Sequence, residues 1–311
     1  MPRYSVEVAH SDARLRRGQA CWSGSRREIE FEFPLRKGRL WPTAAHRSEA
    51  PYPVHILLTN DDGVYAPGLA ALERELRKLG QVSVVAPATE QSGVGHSVTF
   101  LTPLICHEVF EGDRRRGWAV EGSPADCVRI GLFELCPQRP DLVVSGINGG
   151  LNAGINVLYS GTVAAAIEGA FFGITSVAMS LEFDEHAQYD RAAEVASGII
   201  QQLLEHQGTD PRLFNVNIPT AALQTPKGLR VVPMGVARYG EHYLKRTDPR
   251  GRPYYWATND PPPEPGENET DLTAVAKGYV TVTPLDFDMT KRPVLDEMRQ
   301  WDLRLPDLDG Q

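Results

Sequence analysis

The sequence predicts an α/β protein with a Rossmann-like, doubly wound and mostly parallel sheet, followed by a β-rich C-terminal extension or hairpin. Near-continuous apolar runs recur along the chain, as expected for strands buried on both faces of a parallel sheet. Segments with helical spacing of apolar residues alternate with those runs. The chain has 311 residues, so it can bury a full core without disulfides or a structural metal.

The first βαβ unit is predicted just after residue 53. A strand is expected at 54–60, where the sequence VHILLTN is almost wholly apolar. A helix follows because leucines recur at helical spacing from Leu69 to Leu79, with Gly80 just past its end. The run VSVVAP at 82–87 predicts the second strand, and such crossovers are almost always right-handed.

The alternation continues through the rest of the chain. Further strands are predicted at 140–146, 175–181, 213–219, 229–235 and 278–285. Further helices are predicted at 123–135, at 162–173 and around 192–203. A loop with six prolines between Pro249 and Pro265 is expected to separate the last two strands.

The charge is unevenly distributed. The chain carries a net charge of −8, yet residues 1–50 hold ten basic and six acidic residues, so the remaining 261 carry −12. A body this acidic is a poor partner for a polyanionic backbone, so no nucleic-acid polymer is expected as a ligand. Residues 1–53 show no clean periodicity apart from an alternating segment at 27–33, which could form a short strand. They are predicted to be a poorly ordered extension.

The cysteines and the hydropathy predict a cytoplasmic protein that does not contact a membrane. Cys21, Cys106, Cys127 and Cys136 include no C-x-x-C pair and no nearby histidine ligand set, so reduced thiols are expected. No apolar run approaches the ~18 residues of a membrane span, and the first 30 residues have no signal-peptide core.

Polar residues follow the first strand, at the edge of the sheet where ligands of such folds bind. They are Asn60, Asp61, Asp62 and Gly63. Two adjacent carboxylates repel each other unless a cation lies beside them, and Mg²⁺ or Mn²⁺ prefers such oxygen ligands. An ordinary turn is the alternative, because these are also turn-forming residues.

Two more loops fall at the same edge. The loop at 88–97 carries Ser92, Ser97 and His96 among glycines, which fits a binding loop or a plain surface connection. In the segment 145–166, asparagines recur every four residues and Ser160 begins an alanine-rich helix. That helix end suits a phosphate, although Ser160 or Thr162 would cap the helix whatever the function.

Several known motifs are absent from the sequence. No G-x-G-x-x-G follows the first strand, so a nicotinamide-dependent oxidoreductase is disfavoured. There is no G-x-x-x-x-G-K-[ST] phosphate loop and no G-x-S-x-G nucleophile elbow.

Six segments resemble the SurE family, the survival-protein-E 5′/3′-nucleotidases. They run in order over about residues 54–286 and include the specific block NDDG…SG-x-GHS…SGIN-x-G-x-N. The matching segments are TNDDG (59–63), VVAPATEQSGVGHS (84–97), GSPADCV (122–128), SGINGGLNAG (145–154), YSGTVAAAIEG (159–169) and TDLTAVAKGYVTVTPL (270–285). Two departures stand out: Ser123 replaces the family's usual threonine, and 53 residues precede the first strand.

The resemblance implies a phosphatase that depends on one divalent metal ion, Mg²⁺ or Mn²⁺, and acts on nucleoside 5′- and 3′-monophosphates, with short polyphosphate as a further candidate substrate. Asp61 and Asp62 would be catalytic, one of them as base or nucleophile, and the sequence leaves open which. The implied metal ligands are Asp61, Asp62, Ser92 and Asn148. The implied phosphate or substrate contacts are Asn152, Ser160, Gly161 and Thr162, supported by Asn60 and His96.

The resemblance also sets the expected organisation and assembly. Residues 54–300 would form the nucleotidase domain, with a Rossmann-like core at about 54–220, a C-terminal oligomerisation part at about 221–300 and a tail at 301–311. A homodimer or homotetramer is expected, in which a C-terminal hairpin reaches a neighbour. The alternative function is a non-catalytic, nucleotide-binding regulatory module on the same fold.

Overall fold

A nine-stranded sheet organises the part of the chain that the computed structural model describes, which is residues 54–206, 210–236, 241–259 and 268–305. The predicted extension at 1–53, its strand at 27–33 and the last six residues of the tail lie outside these ranges. The strands of this sheet are β1 (Val54–Thr59), β2 (Gly80–Pro87), β3 (Cys106–Glu111), β4 (Arg114–Val120), β5 (Leu142–Gly149), β6 (Thr175–Leu181), β7 (Leu213–Ile218), β8 (Leu229–Val231) and β11 (Val280–Leu285).

Helices connect most of these strands, and a separate hairpin comes late in the chain. The hairpin consists of β9 (Glu241–Thr247) and β10 (Pro253–Asn259). The α-helices are α1 (Pro67–Leu76), α2 (Pro124–Ile130), α3 (Gly161–Phe171), α4 (Tyr189–Glu205), α5 (Thr220–Gln224), α6 (Asp271–Ala276) and α7 (Arg292–Met298). A π-helical turn (Gly131–Leu135) extends α2, and a 3₁₀ helix (Gly154–Leu158) precedes α3.

The strand order is β3-β4-β2-β1-β5-β6-β7-β11-β8. All neighbours from β4 to β7 are parallel, whereas β3 and β11 run antiparallel to β4 and β7. The chain first builds outward from β1 through β2 to β4, and then outward on the other side from β5 to β7. The switch in direction therefore lies between β1 and β5, where ligands of doubly wound folds bind.

Helices cover both faces of the sheet, as the predicted fold class requires. Successive β1 residues alternate between the faces: Ile56 and Leu58 pack with α1 and α4, and Leu57 packs with α2 and α3. All three side chains are fully buried. This explains why the strand appears in the sequence as a continuous apolar run instead of an alternating one.

The predicted elements are found with shifted ends. Thr175–Leu181 forms β6 as predicted, whereas the strand expected at 229–235 ends at Val231. The helix predicted up to Leu79 ends at Leu76, and Gly80 is the first residue of β2. A Cβ at Gly80 would lie 2.0 Å from the carbonyl oxygen of Val54, so close pairing with β1 requires glycine there.

Two further predictions fail. The sequence does not predict the β3–β4 hairpin, in which β3 is mostly exposed and β4 begins with three arginines before its buried second half. The loop predicted around the six prolines is wrong over Pro253–Asn259, which is strand β10. Pro253 begins that strand, a position that proline tolerates.

Within the described residues, none of the helices combines the length and the apolar character needed to cross a membrane.

Candidate active site

Three loops meet at the carboxyl ends of β1, β2 and β5, at the switch point of the sheet. The backbone N–H of Gln91 donates to the carbonyl oxygen of Asp61 at 2.7 Å, which joins the first loop to the second. The N–H of Gly95 donates to the carbonyl oxygen of Tyr159 at 3.0 Å, which joins the second to the third. The N–H of Gly149 lies 3.3 Å from a carboxylate oxygen of Asp62 and joins the third to the first.

Asp61 lies against the first turn of α3. Its carboxylate accepts hydrogen bonds from the hydroxyl and the backbone N–H of Thr162. These bonds lower the pKa of Asp61, but burial has the larger effect and raises it above its usual value. Gly161 makes this approach possible, since a Cβ there would lie 2.8 Å from Cβ of Asp61. A buried carboxylate is therefore held in place beside the positive end of a helix.

Asp62 has a markedly raised pKa, about 6. Burial is the main cause, and the charges of Asp61 and Glu90 add to it, while the Gly149 N–H opposes the shift. The two adjacent carboxylates thus repel each other in the metal-free protein. A cation beside them would relieve that repulsion.

This repulsion predicts how the stability of the metal-free protein depends on pH. The raised pKa of Asp62 means that its contribution to the free energy of unfolding is present below pH ~4 and is lost as the pH rises through about 6. In the presence of a chelator, Asp62→Asn should therefore unfold at higher urea concentration than the wild type at pH 7, with the difference narrowing toward pH 4.

Asp296→Asn, an exposed aspartate on α7, serves as the control and should follow the wild type at every pH. Parallel pH profiles for the wild type and Asp62→Asn would contradict the prediction. Added Mn²⁺ should stabilise the wild type at pH 7, and that stabilisation should weaken as the pH falls below about 6, because protons compete with the metal for Asp62.

The other implied metal ligands offer neutral oxygens. The amide nitrogen of Asn148 donates to the carbonyl oxygen of Gly150 at 2.7 Å, so its side-chain oxygen is the atom left for a ligand. Ser92 is exposed, and its hydroxyl lies 2.8 Å from a carboxylate oxygen of Glu90. Asn60 closes the turn, since its amide nitrogen donates to the carbonyl oxygen of Gly63 at 2.9 Å. Its buried side-chain oxygen has no partner among the described residues.

Asn152 is held from the sheet side. Its backbone N–H donates to Asn217 at 2.8 Å, and its side-chain nitrogen donates to the hydroxyl of Ser180 at 2.9 Å. Its carbonyl oxygen accepts from the side chains of Asn215 and Asn217 at 2.6 and 3.2 Å. Polar residues of β6 and β7 therefore hold the third loop against the sheet.

Ser160 and His96 have defined partners as well. The hydroxyl of Ser160 accepts from the backbone N–H of Val163 at 3.1 Å, so Ser160 caps α3, as the capping alternative expects. His96 lies 2.6 Å from the buried carboxylate of Glu168, whose other oxygen accepts from Arg129 at 2.9 Å. Glu168 of α3 thus positions both the imidazole of His96 and the guanidinium of Arg129, which lie 72 and 39 residues away in sequence.

Sequence reasoning missed several residues that shape the site. Glu90 stands within the second loop but was passed over beside the serines and the histidine. Glu168 is a buried carboxylate within the alanine-rich helix α3, which the sequence analysis treated as an apolar helix. Asp271 accepts from the N–H of Gly154 at 2.9 Å and of Gly235 at 2.7 Å. Only its place within the TDLTAVAKG segment could have drawn attention to it.

The donor set fits a hard divalent cation. Asp61, Asp62, Ser92 and Asn148 are all oxygen donors on the three loops that meet here, and such donors suit Mg²⁺ or Mn²⁺ completed by water. Within the described ranges, no three His, Cys, Asp or Glu side chains group together as they would in a zinc site. The buried, unpartnered oxygen of Asn60 adds a further acceptor directly before the carboxylate pair.

Fold and site together define a class: α/β proteins whose switch point brings paired carboxylates to a helix N-terminus. The family model for "Survival protein SurE" matches residues 56–241, more than half of the chain. The chain is 58% identical over 252 residues to "5'-nucleotidase SurE" of Rhodopirellula baltica, covering 81% of this chain and 100% of that protein. It is 41% identical over 254 residues to "5'-nucleotidase SurE" of Carboxydothermus hydrogenoformans, covering 80% and 96%.

Among solved structures, the SurE protein from Aquifex aeolicus matches with a TM-score of 0.70 and 40% sequence identity, covering 79% of this chain and 98% of that one. The chain belongs to the SurE family, which confirms the resemblance seen in the sequence. The α/β fold class is confirmed as well.

Proposed function

We propose that this protein is a 5′-nucleotidase that also accepts nucleoside 3′-monophosphates, releasing inorganic phosphate with the help of one Mg²⁺ or Mn²⁺ ion. The observation that carries the proposal is the adjacent pair Asp61–Asp62 at the switch point, where Asp61 lies against the first turn of α3 and Asp62 lies beside Gly149 of the third loop. The relatives' printed name, "5'-nucleotidase SurE", supports the reaction class. A nucleoside monophosphate is accordingly the expected substrate.

Asp61, Asp62, Ser92 and Asn148 would hold the metal. When bound, a divalent cation supplies Lewis acidity and lowers the pKa of a coordinated water. Thr162 keeps Asp61 in one orientation through its hydroxyl and N–H, so the metal site is preorganised. Because both donors of Thr162 already serve Asp61, the phosphate would bind at Gly161 and the remaining polar groups around the α3 N-terminus.

Hydrolysis of a phosphate monoester requires that the attacking water lose a proton and that the departing oxygen gain one. A water oxygen attacks phosphorus, the bond from phosphorus to the ribose oxygen breaks, and that oxygen leaves with a proton. One of Asp61 and Asp62 would take the proton of the attacking water and pass it to the departing ribose oxygen, so that the products are the nucleoside and inorganic phosphate. Donors around the α3 N-terminus and the third loop would stabilise charge on the phosphoryl oxygens. Asn152 contributes by fixing the third loop. His96, which is held by Glu168, would support binding of the substrate.

The test is phosphate release measured with a substrate panel and controlled metal content. AMP, 3′-AMP, p-nitrophenyl phosphate and short polyphosphate are assayed with a chelator, and again after Mg²⁺, Mn²⁺ or Zn²⁺ is restored. Chelation should abolish release from AMP, and Mg²⁺ or Mn²⁺ should restore it better than Zn²⁺ because the donors are oxygens. Release that is insensitive to the chelator, or AMP binding without turnover at any metal content, would contradict the proposal; the second outcome would favour a regulatory module.

We also infer that the chain assembles into a homodimer or homotetramer through the β9–β10 hairpin. The hairpin forms a two-stranded sheet separate from the main one. It exposes large side chains on both strands, including Tyr243, Leu244, Tyr255 and Trp256. Such an apolar surface favours contact with another protein surface, and the molar mass in solution, measured by light scattering, tests the inference.

A further inference from the structure

A polar cavity opens near the amino ends of β2 and β4, away from the carboxyl ends that carry the candidate active site. It has a volume of about 320 Å³, within the range of small-molecule sites. It lies where β2 and β4 diverge, since these strands pair only from Val84 and Gly117 onward. The residues that give it its chemical character are Arg77, Arg114, Arg115, Arg116 and Trp118. We call this cavity the arginine notch.

The arginine notch holds more positive charge than its acidic neighbours neutralise. Glu73 is shared, with one oxygen 2.6 Å from Arg77 and the other 2.6 Å from Arg116. Arg115 pairs with Glu108 at 2.8 Å, and both of these side chains are about half exposed. Four guanidinium groups thus face two carboxylates.

Arg114 has no ion-pair partner among the described residues. It stands opposite Glu111 in the β3–β4 ladder, but no described carboxylate oxygen comes within 4.0 Å of its guanidinium nitrogens. Arg116 is largely buried, and its Nη2 also lacks an acceptor in the described part of the chain. Both arginines therefore retain hydrogen-bonding capacity that an anion's oxygens could use.

Other features keep this charge at the cavity wall. The guanidinium of Arg115 lies 5.2 Å from the centroid of the Trp118 ring, a cation–π contact. Arg116 is anchored because its Nη1 donates to the carbonyl oxygen of Val64 at 2.9 Å. On the other side, Gln81–Ser83 of β2 have no strand partner from β4. The charge is thus held on structured elements, beside a stretch of β2 that pairs with β1 but has no partner on the β4 side.

We propose that the arginine notch binds a phosphate-bearing anion, either free phosphate or the phosphate chain of a nucleotide. Forked guanidinium donors match phosphate oxygens, and Arg is the side chain best suited to this recognition. Residues 51–311 carry a net charge of −12, so the surplus of positive charge around this cavity is opposite in sign to the charge of the rest of that segment. The β2 residues that line the notch, Gln81–Val84, lie three to six residues before the carboxyl end of that strand, or about 10–20 Å at ~3.3 Å per residue. It is therefore separate from the active site.

The experiment uses the full chain and two probes: inorganic phosphate and the non-hydrolysable triphosphate adenosine 5′-(β,γ-imido)triphosphate. Hydrogen–deuterium exchange locates binding, and calorimetry measures affinity. Either probe should slow exchange in 81–84 and 114–118, and increasing NaCl should weaken that binding. Protection by both probes would identify the phosphate group as sufficient, and protection by the nucleotide alone would identify a nucleoside phosphate.

The double variant Arg114→Gln, Arg115→Gln should weaken this binding about tenfold or more, because two charge-assisted donors are lost. The double variant Arg299→Gln, Arg304→Gln removes the same charge from exposed arginines near the C-terminus and should bind as the wild type does. Hydrolysis of AMP should stay within about twofold in both, since none of these residues contacts the active site. Absence of protection in 81–84 and 114–118, or equal affinity in the two double variants, would overturn the proposal.

Discussion

Replacing Asp61 by Asn should lower kcat/KM for AMP by about 1,000-fold, a loss of about 4 kcal/mol of transition-state stabilisation. The substitution removes one of two adjacent carboxylates that are expected to hold the metal, while the size of the side chain is kept. The hydroxyl of Thr162 can still donate to the remaining side-chain oxygen. Because a buried charge with a raised pKa is removed, the metal-free variant should be at least as stable as the wild type.

The measurements are phosphate release against Mn²⁺ concentration and urea unfolding in a chelator. Asp62→Asn should behave similarly, and Asp296→Asn on the exposed face of α7 should keep full activity. Full activity in both site variants would refute the assignment of the metal site. A loss of activity accompanied by unfolding would assign Asp61 a structural role instead.

Gly161→Ala should lower kcat/KM by about 100-fold, because the added methyl group enters the space of Asp61. The new Cβ would lie 2.8 Å from Cβ and 3.0 Å from Oδ2 of Asp61, and 3.1 Å from Cγ of Pro124. Pro124 begins α2 and cannot move freely, so the carboxylate must shift away from Thr162. A displacement approaching 1 Å in a metal ligand commonly costs two orders of magnitude in rate.

Gly198→Ala is the matched control. It makes the same substitution within α4, and its Cβ would have no neighbour within 4 Å. It should leave activity unchanged and raise the free energy of unfolding by about 0.5–1 kcal/mol, since alanine has the higher helix propensity. Steady-state kinetics at saturating Mn²⁺ and urea unfolding measure both effects. Wild-type activity in Gly161→Ala would show that the position of Asp61 is not critical.

The parts of the fold that could be predicted are those that are buried on both faces. β6 was predicted at its observed bounds because every residue from Thr175 to Leu181 is buried and flanked by a helix on either side in sequence. The β3–β4 hairpin was missed because β3 (CHEVFE) and the first half of β4 (RRRG) have little hydrophobic pattern. The β10 strand was not predicted because the prolines at and beyond its ends favour a loop.

The candidate site was predicted as a set of residue types but not as a network. The loops were found because polar residues that follow buried strands in a parallel sheet gather at one edge. The bond from Thr162 to Asp61 spans 101 residues, and the contact between His96 and Glu168 spans 72. Periodicity says nothing about partners at such separations, because they are set by the packing of α3 against the end of β1. The roles of Asn152 and Asn60 as loop-fixing residues emerged only from their hydrogen bonds.

Asp271 carries a consequence for any truncation of the chain. It belongs to α6, beyond the predicted end of the Rossmann-like core near residue 220, yet its two carboxylate oxygens accept from Gly154 and Gly235. It is fully buried, so a fragment ending at 220 would leave the Gly154 amide, next to the third loop of the candidate site, without its acceptor. The Rossmann-like core and the C-terminal part are therefore not independent folding units. Asp271 of the C-terminal part supports a loop of the core, so a truncated or engineered version of the protein has to keep both parts.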